Sequence, residues 1–472
     1  MRGALLAATA LVAAAVATAE DWPRFRGPNG SGVSLSKGLP AGFGPAKNLA
    51  WKAEVPFGRS SPVVAGDRIF LTAGEGAKLI TMALERSSGR ILWRREIART
   101  RVTSSYKAND PASPTPVTDG GNVYVFFPDL GLVSYAPDGA ERWRLELGPF
   151  DAFYGLASSP ILAGDTLLLV CDTRAKAFMV AVDTASGRVR WRIDRTDIRW
   201  DGFASPVVWE PKGRPAQIIV LGVHRLDAYA LATGERLWWV GGLAFLPVAS
   251  PVLANGLVLV STWGGDTPSG PTFDEWLKKD SNGDSRISRE EATSGEAFDE
   301  FGALDLNHDG FIDRGEWDQL RNAGVGDFGM LAVRLGGRGD LTRTGIAWRN
   351  KKTYDTITSP LIYRNVLYLV KSGGIIASLD PRTGQVYKTG RTKEAMDTYY
   401  ASPVAADGKV FFTSESGKVT VVKAVRQWEI LAVNDLGEPC YATPAIADGK
   451  IYLRTRNALY CFGRGSGKQR ND

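Results

Sequence analysis

Residues 443–462 read TPAIADGKIYLRTRNALYCF: a Thr-Pro start, a short apolar run, an Ala-Asp-Gly turn, a β-rich strand and then a third strand. The same unit occurs eight times along the chain. Its Ser/Thr-Pro starts are Ser61-Pro62, Thr115-Pro116, Ser159-Pro160, Ser205-Pro206, Ser250-Pro251, Ser359-Pro360, Ser402-Pro403 and Thr443-Pro444. A period in the forties signals a propeller or a solenoid. Strands such as RIFLTA, LLLVCD and KVFFTS follow the first turn, and MVAVD or IIASLD supply the third. In most units a Gly turn then leads into a fourth strand carrying tryptophan: Trp93, Trp143, Trp191, Trp238, Trp348 and Trp428, with Tyr387 standing in once. Four short strands joined by tight turns make one propeller blade. A tryptophan at a fixed phase can wedge between neighbouring blades.

The unit at 443–462 stops after its third strand. Its missing tryptophan strand stands near the other end of the sequence as NLAWKAEV, with Trp51. The expectation is therefore all-β: an eight-bladed propeller of four-stranded blades over 48–465, closed by an N-terminal strand that leaves no open edge. Residues 20–47 form a lead-in and 466–472 a tail. Spacing between successive units doubles from Ser250 to Ser359. The excess falls between the second and third strands of blade 5, so an insert at 266–328 opens on the face where the chain enters each inner strand.

The repeats, with the lead-in DWPRFRGPNGSGVS at 21–34, resemble the PQQ-like β-propeller family. That family includes the quinoprotein alcohol dehydrogenases and the lipoprotein subunit of the β-barrel assembly machinery, and the resemblance implies a secreted bacterial member. It implies the fold more than the activity, because one scaffold hosts unrelated functions.

Within the insert, two twelve-residue patterns resemble the EF-hand family, with helical flanks over roughly 272–322. A calcium ion needs six or seven oxygens, which such a loop supplies at set positions. The first offers Asp280, Asn282, Asp284, the Arg286 carbonyl, Ser288 and Glu291. The second offers Asp305, Asn307, Asp309, the Phe311 carbonyl, Asp313 and Glu316. Gly310 takes the turn of the second loop, whereas Ser285 stands there in the first and should be strained. The loops start close together, so the implied Ca2+ site is constitutive before it is a switch.

Aromatic residues cluster just before the Ser/Thr-Pro starts and would ring the channel mouth. The candidate ligand site is Arg59, Tyr154, Trp200, Asp201, Tyr354, Asp355 and Tyr399, with Phe57, Phe203, Phe245, Tyr400, Tyr441 and Asp110 nearby. Each aromatic could equally pack against its own blade. A PQQ-dependent alcohol or sugar dehydrogenase is the alternative to a non-catalytic scaffold binding a protein or glycan. The quinoprotein dehydrogenases carry a disulfide of adjacent cysteines, and this chain has no Cys-Cys pair. Their calcium cluster cannot be matched here, and only Asp201 and Asp355 offer themselves as a base. PQQ is thus possible but not supported by the residues, and no catalytic residue is assigned.

Two histidines, His224 and His308, leave little for zinc or triad chemistry, and His224 reads as structural. The formal charge of +6 is scattered without a basic stripe, which argues against nucleic acid. Residues 1–19, with Arg2, an apolar core and Ala17-Thr18-Ala19, read as a cleaved signal peptide. No cysteine follows for a lipid anchor, and no later run reaches spanning length. A monomer in the periplasm or outside the cell is expected. Three cysteines allow at most one bridge: Cys440 with Cys461, or buried thiols throughout.

Overall fold

A computed structural model describes residues 20–464 apart from 100–108, 151, 153, 175, 196–199, 246, 269, 293–300, 308 and 352–356. Eight four-stranded antiparallel blades stand around an axis, an eight-bladed propeller, and in blade 4 the short strand Gly339–Asp340 adds in parallel to the outer edge. In blade 3 the strands are Ile161–Ala163, Thr166–Cys171, Phe178–Asp183 and Val189–Asp194, running outward from the axis. Its second strand, Thr166–Cys171, is buried at every position, whereas the outer strand alternates exposed and half-buried residues. The difference follows from stacking. Middle strands are covered on both faces by neighbouring blades and read as continuous apolar runs, while the outer strands are half in solvent.

Blade 8 is built from both ends of the chain. Its inner three strands are Ala445–Ala447, Lys450–Arg454 and Ala458–Gly463, and its outer strand is Leu49–Glu54. Trp51 faces Cys461 across that antiparallel pair. The Ala-Asp-Gly turns of blades 7 and 8 place Asp407 and Gly408, then Asp448 and Gly449, at positive φ. Consecutive positive-φ residues are the geometry of a two-residue hairpin turn.

Six outer strands carry tryptophan at one register position, opposite a small or slender residue of the third strand: Ala83 for Trp93, Ser134 for Trp143, Ala181 for Trp191 and Cys461 for Trp51. Five of the six indoles also donate to a carbonyl in the next blade's turn, among them Trp51 to Arg86 at 3.1 Å and Trp93 to Pro137 at 2.8 Å. The turn glycine lies flat on the ring. A Cβ on Gly89 would sit 2.5 Å from Trp51, at a φ of +76°.

Trp428 and Tyr387 do not occupy this position, a correction to the expected pattern. Lys388 takes it in blade 6, opposite Ser378, and Ala432 in blade 7, opposite Val421. Trp428 lies two residues ahead of its outer strand and reaches back to blade 6. There its ring covers Gly390, and the Lys388 ammonium sits 4.4 Å from the ring centre. The seam is still sealed by an indole, delivered from the other side.

The lead-in crosses the channel at the end away from the insert. Trp22 bridges Val64 of blade 1, the Thr118 amide of blade 2 donates to Pro23, and Val33 bridges Ala405 of blade 7. Asn29 exchanges two hydrogen bonds with Val208 of blade 4. Trp22 is wholly buried, and Gly27 beside it, at a φ of +66°, leaves no room for a Cβ against that ring.

All three cysteines are buried free thiols. Cys440 donates to the Arg454 carbonyl at 3.0 Å. His224 occupies a turn at positive φ, with its Nδ1 3.0 Å from the Leu243 carbonyl, which fits a structural part. Among the described residues, no helix is long and apolar enough to cross a membrane.

Candidate functional site

The eight Ser/Thr residues that open the units form a closed belt around the axis. Each backbone N–H donates to the hydroxyl oxygen of the next blade: Ser61 to Thr115, Thr115 to Ser159, Ser159 to Ser205, Ser205 to Ser250, Ser250 to Ser359, Ser359 to Ser402, Ser402 to Thr443, and Thr443 back to Ser61. The distances run from 2.9 to 3.2 Å. The proline that follows each one explains the pattern. It fixes φ and has no N–H of its own, so the preceding amide is left as the donor between blades.

Above this belt lies a cavity of about 400 Å³, lined by the hydroxyl ring and by Arg59, Asn109, Tyr154, Phe203, Val248, Ile357, Tyr400 and Tyr441, with Phe25 of the lead-in also reaching it. Arg59 lies 5.3 Å from the Phe57 ring centre and 4.5 Å from that of Tyr441, a stacking that suits a planar guanidinium. Tyr441 also packs on Tyr400 and donates its hydroxyl to Glu415 at 3.0 Å. On the opposite wall Tyr154 meets Phe203 edge to face, and Asn109 donates to the Tyr154 carbonyl at 2.6 Å.

Asp110 stands just behind the wall. Burial lifts its carboxyl above the usual range, against the pull of the Ala112 amide and of the Arg454 and Arg59 charges. Arg454 is itself sealed in. Its guanidinium donates to the carbonyls of Pro56, Ser60 and Thr72, and burial pulls it down to about 10.

Of the residues expected at the mouth, the cavity gathers Arg59 and Tyr154. Tyr399 is fully buried between blades, donates to the Ala395 carbonyl at 2.8 Å and does not face the channel. Asp201 accepts from the Arg174 amide at 3.0 Å and pairs with its guanidinium at 3.6 Å. Trp200 packs on Phe245, Val223, Leu306, Leu320 and Ala323, beneath the insert. Tyr354 and Asp355 lie outside the described residues. Sequence reasoning missed Phe25, Val248 and Ile357. No signal marks Phe25, because nothing in the lead-in shows where it crosses the ring.

The insert leaves blade 5 after Leu257–Thr262 and returns at Gly329–Arg334. Ile287 and Ile312, one from each acidic loop, face each other in a two-residue antiparallel pair. Trp276 and Trp317 stack at 4.1 Å over a core with Phe273, Phe301 and Leu304. In the second loop Asp305 accepts the amides of Asp309 and Gly310, and Asn307 and Asp309 each accept an amide two residues on. Glu316 folds back onto the amides of Leu306, Asn307 and Asp313, and Asp313 caps the helix Arg314–Ala323. In the first loop Asp280, Asn282 and Asp284 accept amides in the same way. The amides and hydroxyls of Ser281 and Ser288 hold Glu291 down to about 2. Ser285 takes a φ of +61° where the second loop has Gly310 at +87°. Among the described residues, no three His, Cys, Asp or Glu side chains gather as a group that could hold a metal ion.

The comparisons agree with this architecture. The BamB structure from Moraxella catarrhalis superposes with a TM-score of 0.54 at 12% identity, over 88% of this chain and 99% of that one. The quinohemoprotein alcohol dehydrogenase ADHIIG from Pseudomonas putida HK5 gives 0.54 at 12% identity, over 95% and 81%. The computationally designed Ika8 protein gives 0.53 at 8% identity, over 88% and 99%. At these identities the likeness is one of fold. No curated protein sequence matches the chain. The family described as "Outer membrane protein assembly factor BamB" matches residues 43–267 and 218–471. Repeats, ring closure and this match over nearly all of the propeller place the chain in the BamB-like family of PQQ-repeat β-propellers.

Proposed function

We propose that this protein is a calcium-holding propeller that acts as a non-catalytic binding scaffold in the periplasm or outside the cell, with the mouth cavity receiving a segment of a protein partner. One observation carries the reading. Above the belt the lining is aromatic: Tyr154, Phe203, Tyr400 and Tyr441 surround it, and Tyr441 is bonded to Glu415. What the lining offers a guest is aromatic faces and the stacked guanidinium of Arg59, a surface suited to gripping an aromatic or acidic side chain. The family's description as an outer membrane protein assembly factor favours a protein over a glycan.

The lining does not fit PQQ. That quinone carries three carboxylates, and among the described lining residues Arg59 is the one cationic side chain.

The insert is read as an EF-hand pair. Support comes from the Ile287–Ile312 pair between the loops and from carboxylates pre-positioned by loop amides. Asp305, Asn307, Asp309, the Phe311 carbonyl, Asp313 and Glu316 would hold the second Ca2+. Asp280, Asn282, Asp284, the Arg286 carbonyl, Ser288 and Glu291 would hold the first. The metal would stiffen the rim beside the cavity.

The test is peptide selection by display on the immobilised full-length protein, followed by calorimetry with Arg59→Ala and Tyr441→Ala. Each substitution should weaken a selected peptide at least tenfold, about 1.4 kcal/mol. Unchanged affinity would move the partner away from the mouth. Alcohol-dependent dye reduction in the presence of PQQ would overturn the non-catalytic reading.

A further inference from the structure

The lead-in carries two arginines into the centre of the ring. Phe25 lines the mouth cavity, while Arg24 on one side donates through Nη2 to the Pro206 carbonyl of blade 4 at 2.8 Å. On the other side Arg26 donates through Nη2 to the Pro360 carbonyl of blade 6 at 2.6 Å. Both side chains are almost fully buried. Among the described residues, Arg24 Nε and Arg26 Nε and Nη1 have no partner, and no carboxylate pairs with either guanidinium.

Burial pulls both guanidiniums down to about 9, and for Arg26 repulsion from Arg24 adds to it. Both therefore remain charged at neutral pH. Two like charges taken out of water with one carbonyl each are costly unless something negative joins them. Arginine is the side chain suited to such a place, because it stays charged and offers forked donors to an anion.

We propose that Arg24 and Arg26 form a binding site for one small anion, a halide or an inorganic oxoanion, held inside the ring beside Phe25. The anion would accept the unpartnered N–H groups and tie the lead-in to the inner strands of blades 4 and 6. It would thus be a structural ligand of the propeller, independent of what the mouth cavity binds.

The full-length protein, with EDTA present so that the insert holds no metal, is melted in sodium gluconate, sodium bromide and sodium phosphate at matched ionic strength. A saturable rise of about 2–4 °C with bromide or phosphate over gluconate is expected. In Arg26→Met that difference should disappear. Crystals grown in bromide should show its anomalous peak between the two guanidiniums. Equal melting of the wild type in all three salts, or a bromide map empty at this position, would overturn the site and would mean that the prolyl carbonyls alone balance the charges. Should Arg26→Met not fold, the two wild-type measurements still decide.

Discussion

The backbone N–H of Thr443 donates to the hydroxyl oxygen of Ser61 at 3.1 Å and so joins the last blade to the first. It is the eighth link of a belt whose other seven links run between sequential blades, and it has the same geometry as they do.

Ser61→Ala removes that acceptor and leaves the Thr443 amide buried without a partner. The expected cost is about 1–3 kcal/mol. Ser205→Ala, which orphans the Ser159 amide, should cost about the same. Guanidinium unfolding of the two variants measures both, and a much larger loss for Ser61 alone would mean that the closing link is special.

Trp51→Ala should be worse. It deletes a buried indole, its bond to Arg86 and its stacking on Gly89 at the strand that completes the ring. About 3–5 kcal/mol is expected from loss of the aromatic, read as a fall in denaturation midpoint. Gly89→Ala approaches the same seam from the other side, with both a steric clash and a positive φ against it.

The calcium reading gives an ordered pair of outcomes in titration calorimetry. Glu316→Gln should weaken the second loop most, by more than tenfold, because it supplies two of the oxygens. Ser285→Gly should strengthen the first loop by relieving a residue held at a φ of +61°. Absence of any calcium heat in the wild type would remove the EF-hand assignment.

The thiols supply a pH prediction. Burial raises Cys440 to about 12 and Cys461 to about 11, and lifts Cys171 well above its ordinary value. The folded state keeps these protons after the unfolded chain has lost them. Their contribution is therefore intact below about pH 8.5 and declines as pH rises through 11 and 12. Ellman's reagent at pH 8 should find no reactive thiol in the native protein and three after denaturation. Fewer than three would reveal a bridge.

Deleting the insert should lower the melting temperature without unfolding the ring. Its stem pairs with the 242–245 segment, and its helix covers Trp200, Val223 and Phe245, which the deletion would uncover. Circular dichroism and melting of the shortened chain check this, and loss of a cooperative transition would mean that blades 4 and 5 need the insert to fold.

The blade count, the closing strand and the place of the insert were legible because each rests on spacing: Ser/Thr-Pro marks, a three-strand final unit and one doubled interval. The mouth was legible only in part. Nearness to a Ser/Thr-Pro start places an aromatic at the right height but not the right direction, so Tyr154 and Tyr399 look alike in sequence although one lines the cavity and the other is buried between blades. Trp428 misled for a related reason. Two residues of offset before a strand move a side chain to another seam, and composition does not record that offset. The path of Phe25, Arg24 and Arg26 through the ring depends on contacts with blades far away in sequence, which no local pattern encodes.

The pairing of Trp51 with Cys461 has a consequence for biogenesis. The strand that finishes the circle leaves the ribosome before the inner strands of any blade, and its hydrogen-bonding mate follows only after seven blades and the insert. The ring therefore cannot close until all eight blades have been made, and until then Leu49–Glu54 has no mate along its hydrogen-bonding edge. That unpaired strand is the exposed edge that the chain must protect from pairing elsewhere until then.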